Sequence, residues 1–181
     1  GGGLGGSGAV VAQAAPPRFK LGQLEVWVIS DGIMVLPPAF VLPDTPEAER
    51  MAVLGPALVN GVMPAQVNVA VIKAGGATVL IDTGAGPDFM PTLGKLGDRL
   101  SAAGIAPDSI THVVFTHAHP DHLWGVIDPL GDGSAFGKAK HVMTAVERDY
   151  WLKPGVEKTV PAALEGMTVG TVKRLKAIRS E

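Results

Sequence analysis

Three of the chain's five histidines and one aspartate lie within six consecutive residues. This stretch runs from His117 to His122 and reads HAHPDH; with the preceding threonine it is called the histidine loop. Imidazole nitrogen and carboxylate oxygen are ligand atoms that zinc and similar divalent metals accept. At the end of an extended strand, His117 and His119 would project to the same side. Pro120 suits the first turn of a helix, which would direct Asp121 and His122 toward the same pocket.

Apolar residues just before the histidine loop indicate how the chain positions it. Residues 110–115 predict a strand that ends at the loop, as a metal site at a strand end requires. The alternative is a polar loop that is rich in histidine by chance, but HxHxDH spacing after an apolar run favours the metal site. His112 lies on this strand and His141 on a later predicted strand, and neither is assigned a role.

A second carboxylate follows a predicted strand at Asp82. Residues 78–81 predict the strand, and Asp-Thr-Gly follows it directly. One interpretation is a turn residue that hydrogen-bonds its own backbone. The other is a carboxylate that orients the histidine loop from behind the metal ligands.

Periodicity and turn signals predict the remaining elements. Strands are expected within 19–30, over 33–36 and over 67–73, with a turn at Asp31-Gly32 between the first two. Helices are expected from a cap at Thr45 to Gly55, over 89–103, from a capping box at Thr144 and Glu147 to residue 151, and over 160–179 with breaks at two glycines. Strands first, then alternating strands and helices, predict an α/β sandwich.

The composition is that of one globular domain with a core. The 181 residues are 46% apolar and 18% charged, which excludes a disordered chain. The formal net charge is −2 with both signs interspersed, so no nucleic-acid partner is expected. Cysteine is absent, which excludes disulfides, a cysteine nucleophile and zinc–thiolate sites and leaves His and Asp as the ligands.

The two ends of the sequence suggest processing and truncation. Residues 1–15 are small and uncharged, and Ala12-Gln13-Ala14 fits the cleavage pattern of an export signal. We interpret this segment as a signal-peptide remnant of a periplasmic or secreted protein; a disordered tail is the alternative, and the segment is too short and glycine-rich for a membrane span. A basic helical pattern before Glu181 lacks a stop signal, so we expect residues 19–181 to be the N-terminal part of a longer domain.

The HxHxDH motif at 117–122 and the Asp-Thr-Gly at 82–84 resemble the metallo-β-lactamase superfamily. The resemblance implies an α/β fold, an αββα sandwich of two similar halves, of which this chain supplies the N-terminal half only. Further segments are similar to the branch containing methyl parathion hydrolase and exported lactonase-like hydrolases. These segments are 21–26, 30–32, 79–85, 91–96 and 149–152.

The resemblance also implies a metal centre with two divalent ions, zinc being the expected metal. His117 and His119 would bind one ion, Asp121 and His122 would bind the second, and Asp82 would orient the loop. The family takes further ligands from its second half, and no matching motif follows His122 in this sequence. Two protein ligands per ion fall short of the three that catalytic zinc sites use. We therefore expect these 181 residues alone to bind metal weakly.

Trp124 departs from the family pattern. The superfamily has two glycines soon after its motif, and here Leu123-Trp124-Gly125 places a tryptophan at the first of them. Trp124 would either line an apolar wall of the substrate pocket or pack under the loop.

For the complete protein the expected activity is metal-dependent hydrolysis of a small molecule. Metal ions lower the pKa of bound water toward ~7, and the resulting hydroxide would attack a phosphotriester, lactone or other ester. Asp121 is the expected catalytic residue, because it would ligate one ion and help to hold the nucleophile. The alternatives are thioester hydrolysis, iron-dependent sulfur oxidation, or an inactive half-domain that acts only in binding. A homodimer is a further hypothesis.

Overall fold

The computed structural model describes residues 15–179. Within this range six strands form one sheet, and their order across the sheet is their order along the chain. The strands are β1 (Arg18–Leu21), β2 (Leu24–Leu36), β3 (Met63–Ala74), β4 (Ala77–Ile81), β5 (His112–Val114) and β6 (Lys140–Val142). Neighbours from β1 to β4 are antiparallel, whereas β5 runs parallel to both β4 and β6. The carboxyl ends of β4 and β5 therefore meet at one edge of the sheet.

Helices and short 3₁₀ turns lie between the strands and after β6. The helices are α1 (Pro38–Val41), α2 (Glu47–Leu54), α3 (Leu96–Ala102), α4 (Pro120–Leu123), α5 (Ala145–Trp151) and α6 (Glu165–Ala177). This one-sheet α/β arrangement is the predicted fold class, and it agrees with the N-terminal half of an αββα sandwich. No helix in the described part of the chain is long and apolar enough to cross a membrane. The predicted signal remnant falls on residues 1–15, of which 1–14 lie outside the described residues.

The core lies on one face of the sheet, where side chains from four adjacent strands meet helix α3. Ile29, Val71, Leu80 and Val113 have no exposed surface, and neither has Leu100 of α3. Burying such a side chain contributes about 1.5–3 kcal/mol each. These strands are consequently a rigid base for the loops at their ends.

The structure confirms several predicted elements and corrects others. The strands expected at 67–73 and 78–81 lie within β3 and β4, and His141 lies on a strand as expected. Helix α6 continues through Gly166 and Gly170, where breaks were predicted. Thr45 does not cap α2, because Pro46 occupies the cap position and makes no side-chain cap bond.

The predicted turn at Asp31-Gly32 is wrong, because β2 continues through it along its partner β3. The pairing accommodates the two residues with a register shift between Ser30 and Gly32. The Asp31 side chain is fully buried. Its Oδ2 accepts hydrogen bonds from the backbone N–H of Ala85 at 2.9 Å and of Gly94 at 3.1 Å, and its Oδ1 accepts one from Leu96 at 3.0 Å.

These bonds also explain why the helix predicted over 89–103 begins only at Leu96. Gly94 has φ +80° and the preceding residues form turns, so the chain enters α3 under the Asp31 carboxylate. Leu93 is nevertheless buried, in a small cluster with Val67 and Ala85. The apolar spacing correctly indicated burial, but the backbone around it is not helical.

Asp31→Asn tests this carboxylate. An amide group would present an N–H to a backbone N–H at one of the two oxygen positions, so we expect a loss of about 2–4 kcal/mol in the free energy of unfolding. Urea denaturation measures it. Asp44→Asn is the control. Because the Asp44 side chain is exposed, this variant should have the same free energy of unfolding as the wild-type protein. An Asp31 variant as stable as the Asp44 variant would contradict the role assigned to the buried carboxylate.

Candidate metal centre

The histidine loop follows β5 and brings its three imidazoles together. The ring centroids of His117 and His119 are 4.7 Å apart, and those of His117 and His122 are 4.0 Å apart. His119 is extended, with φ −65° and ψ 154°, and Pro120 begins α4 as predicted. The carboxylate of Asp121, on the first turn of α4, lies 3.1 Å from Nε2 of His122. The residues predicted to hold metal therefore lie close together at the sheet edge.

His122 lies between two carboxylates. Its Nδ1 is 2.7 Å from Oδ2 of Asp82, and its Nε2 faces Oδ2 of Asp121. Burial lowers the pKa of His122, but the hydrogen bonds and charges of Asp121 and Asp82 outweigh burial and raise that pKa to about 9. This shift favours the imidazolium form of the ring, and a metal ion at Nε2 would have to displace that proton.

The pKa values of Asp121 and His117 are also shifted by burial and by nearby charged groups. Burial raises the pKa of Asp121, but the hydrogen bond and positive charge of His122 outweigh this effect and hold the pKa below its usual range. Burial lowers the pKa of His117, and the nearby His122 and His119 lower it further. These shifts favour the ionised form of Asp121 and the neutral form of His117, which are the forms that bind metal ions.

The donor set suits divalent metals, since it consists of imidazole nitrogens and carboxylate oxygens. Across residues 15–179, however, no group of three or more His, Cys, Asp or Glu side chains is placed to hold one metal ion. Both nitrogens of His122 face carboxylates, so this ring does not join His117 and His119 around a common point. The predicted division of two ligands to each ion stays a prediction.

Asp82 holds the histidine loop from behind. It follows β4 with φ +63°, an uncommon value for a residue with a side chain, and it is 6% exposed. Its carboxylate accepts hydrogen bonds from the backbone N–H and the hydroxyl of Thr116, both at 2.8 Å, and contacts Nδ1 of His122. The structure thus brings Asp82 to the place that the sequence predicted, and its effect on a bound metal stays a prediction.

Thr83, the residue after Asp82, also binds the end of the histidine loop. Thr83 donates its backbone N–H to the carbonyl of His122 at 2.8 Å, and its hydroxyl contacts the carbonyls of His122 and Leu123. Gly125 passes so close to this strand end that a Cβ would lie 1.9 Å from the carbonyl oxygen of Thr83. The second glycine after the motif is therefore required by close approach of the backbone.

Trp124 packs against α6. Its Nε1 donates to Oγ1 of Thr171 at 3.0 Å, and the guanidinium of Arg174 lies 3.9 Å from its ring centroid. A Cβ at Gly170 would lie 2.6 Å from the indole ring, so the absence of a side chain there makes room for it. This is the packed alternative of the sequence analysis; a contact between Trp124 and a substrate stays a prediction.

Glu147 was not predicted to contribute to the site. The capping-box pattern assigned its carboxylate to the start of α5, and Thr144 does accept the backbone N–H of Glu147, at 3.4 Å. The Glu147 carboxylate instead accepts the backbone N–H of Ala118, inside the histidine loop, at 2.8 Å. Half of the capping box is thus present, and the other half is replaced by a contact to the loop. Thr171, whose hydroxyl donates to the carbonyl of Ala118, was not indicated by any sequence pattern.

A groove of about 500 Å³ opens beside His117 and His119. Its apolar lining comes from α5 and from the segment that leads into α6. The lining includes Val146, Tyr150, Val160, Leu164 and Met167. An elongated apolar group could lie here next to the imidazoles.

The two histidines that were assigned no role have other contacts. Nδ1 of His112 is 2.8 Å from the hydroxyl of Thr111, and Nε2 of His141 is 2.7 Å from the hydroxyl of Ser134. Both lie on strands of the sheet. The histidines of the candidate site are those of the histidine loop.

The packing of Trp124 can be tested on α6 with two glycines. Gly170→Ala would force the indole to move, and overpacking costs about 1–3 kcal/mol, more than the gain in helix propensity. At Gly166 a Cβ would meet nothing within 4 Å. We therefore expect Gly166→Ala to stabilise the protein by about 0.5–1 kcal/mol. Urea denaturation distinguishes the two, and equal stabilisation by both would show that the indole does not occupy this position.

Comparisons with known proteins identify sequences and structures that are similar to this chain. The chain is 27% identical over 146 residues to N-acyl homoserine lactonase AiiB of Agrobacterium fabrum, which covers 71% of this chain and 48% of that protein. The structure is similar to that of AidC, described as a dizinc quorum-quenching lactonase, with a TM-score of 0.80, 26% identity, and coverage of 91% of this chain and 59% of AidC. It is also similar to the hydrolase AbOPH, with a TM-score of 0.79, 27% identity, and coverage of 92% and 58%.

The chain thus spans about half the length of the curated relative and under 60% of these two solved structures. The family profile described as Metallo-beta-lactamase superfamily matches residues 62–158, more than half of the chain. That segment contains β4, Asp82, β5 and the whole histidine loop. The chain belongs to the metallo-beta-lactamase superfamily.

Proposed function

We propose that this chain supplies the first half of the active site of a metal-dependent lactone hydrolase. The observation that carries the proposal is the convergence of three imidazoles and the Asp121 carboxylate at the sheet edge, with a buried carboxylate behind them. Similarity to a lactonase in sequence and to another in structure supports lactones as the substrate class.

His117 and His119 would hold one divalent ion, and Asp121 and His122 would hold a second. Zinc is the proposed metal, because the donors are all nitrogen and oxygen and because the similar protein AidC is described as dizinc. Such ions supply a water activated for nucleophilic attack at neutral pH. The remaining ligands would come from a further part of the full-length protein, corresponding to the part of the relatives that this chain does not span.

The chain's own residues have distinct tasks in this proposal. Asp82 fixes the ring of His122 through Nδ1 and so leaves Nε2 for the metal side. Asp121, ionised and partly buried, would ligate a metal ion and help to hold the attacking water. The groove beside His117 and His119 would take the apolar part of the substrate and orient its ester bond.

A metal measurement tests the proposal directly. We expect about two zinc ions per chain in the full-length gene product and well under one in residues 1–181, because catalytic zinc uses three protein ligands. Elemental analysis of the two proteins, side by side, measures this. Two tightly held ions in residues 1–181 would show that these residues complete the site themselves. No metal in the full-length product would overturn the proposed function.

A substrate panel follows from the same proposal. The full-length zinc form should hydrolyse N-acyl lactones, lose activity with a chelator and recover it with zinc. Phosphotriesters, simple esters and thioesters belong in the panel, since these are the other substrate classes predicted from the sequence. Iron in place of zinc, or a metal-binding protein that turns over none of them, would contradict the assignment.

Asp82→Asn tests the residue behind the ligands. Loss of such outer partners weakens metal affinity by about 10–100-fold, and we expect zinc affinity of the full-length product to fall in that range. Competition with a chromogenic chelator measures it. Asp108→Asn is the control, since that carboxylate is exposed and its ion pair with Lys138 spans 3.5 Å. Equal affinities in the two variants would contradict the role of Asp82.

Export and a homodimeric state are retained as predictions. A mature N terminus near Ala15, found by sequencing the protein purified from its native host, would support export, whereas an intact form in the cytoplasm would contradict it. Light scattering would establish the oligomeric state.

A further inference from the structure

Ala118, between His117 and His119, has its peptide groups held by two helices. The residue is fully buried. Strand β5 ends at Val114, so no ladder bond reaches Ala118. Its N–H donates to Oε1 of Glu147 on α5 at 2.8 Å, and its carbonyl accepts from Oγ1 of Thr171 on α6 at 3.3 Å. Buried backbone groups need such partners, and here side chains from two different helices provide them.

The same Glu147 oxygen also accepts a hydrogen bond from a tryptophan that packs against the ring of His119. The same Oε1 accepts the indole N–H of Trp151, one turn further along α5, at 2.8 Å. Trp151 is buried, and its ring lies edge-on to the ring of His119, with centroids 6.1 Å apart. One oxygen atom therefore fixes both the backbone before His119 and a wall against which its ring packs.

Thr171 contacts the chain at two places, at Ala118 within the histidine loop and at Trp124 beyond it. It is fully buried, and its oxygen accepts the indole N–H of Trp124 while its hydroxyl proton is directed to Ala118. A hydroxyl has one proton to donate and lone pairs to accept, so both contacts can form together. Because Trp124 lies just after His122, α6 contacts the chain within the histidine loop and directly beyond it.

We propose that Glu147 and Thr171 are positioning residues, which hold the Ala118 peptide and so set the separation and direction of the imidazoles of His117 and His119. The inference rests on the proposed function, since these imidazoles are the proposed ligands of one metal ion. In this proposal neither residue would ligate the ion; both would act through the Ala118 backbone, and Glu147 also through Trp151. Metal sites depend on such supporting contacts, because ligands must be held in geometry before the metal binds.

The test uses pairs of variants in the full-length gene product. Glu147→Ala removes the acceptor, whereas Glu147→Gln keeps an oxygen that can accept both N–H groups. Thr171→Val removes the hydroxyl, whereas Thr171→Ser keeps it. Asp149→Ala on α5 and Thr159→Val in the segment before α6 are controls, since both side chains are exposed and the Thr159 hydroxyl donates to the carbonyl of Val156, close in sequence.

Two quantities are measured: the zinc dissociation constant and the hydrogen-exchange rate of the Ala118 amide. We expect Glu147→Ala and Thr171→Val to weaken zinc binding by about 10–100-fold, with Gln and Ser variants close to wild type. Glu147→Ala should also speed exchange of the Ala118 amide, because its acceptor is gone. Both controls should leave zinc affinity unchanged, even where Thr159→Val lowers stability.

The outcomes separate this inference from the proposed function. A wild-type protein that binds zinc, with Glu147→Ala and Thr171→Val binding it equally well, would overturn the positioning role alone. A wild-type protein that binds no metal would overturn the proposed function and the inference together. If Glu147→Ala does not fold, the Thr171→Val and Thr171→Ser pair still decides, because only one of them lacks the hydroxyl.

Discussion

The carboxylate of Asp82 lies where the sheet gives way to loops, and the geometry of the site depends on the hydrogen bonds it accepts there. It is buried at the end of β4 and contacts both Thr116 and His122, the first and last residues of the histidine loop. A buried carboxylate must be hydrogen-bonded or paired, because transfer of a charge out of water is costly. In the described residues Asp82 meets that requirement through Thr116 and His122, so the carboxylate and the loop hold each other in place.

The parallel pairing of β4 with β5 is what makes this contact possible. Ile81 is paired with Val114, so the residues that follow both strands emerge side by side. The backbone N–H of Asp82 then donates to the carbonyl of Val114 at 2.9 Å, which continues the pairing by one more residue. The site is consequently attached to the buried centre of the sheet, where Leu80 and Val113 have no exposed surface.

A second buried carboxylate, Asp31, organises the loop beside the first. It holds the backbone of Ala85, Gly94 and Leu96, and Gly84 passes so close that a Cβ would lie 2.4 Å from its carboxyl carbon. The Asp-Thr-Gly segment is therefore held at both ends. Asp82, its first residue, contacts the histidine loop, and Asp31 lies against Gly84 and Ala85 at its other end. Helices α5 and α6 also contact the histidine loop, through hydrogen bonds to the backbone of Ala118.

The sequence by itself determined the features that depend on near neighbours along the chain. The HxHxDH spacing, the helix start at Pro120 and the strand before Asp82 are local patterns, and the structure contains each of them. Only the tertiary structure decided the features that depend on distant partners. Glu147 and Thr171 reach Ala118 across 29 and 53 residues, and Asp31 reaches Ala85 across 54. A side chain that bonds a distant backbone group produces no periodic pattern, because the sequence gives the side chain but only the fold brings its partner within reach.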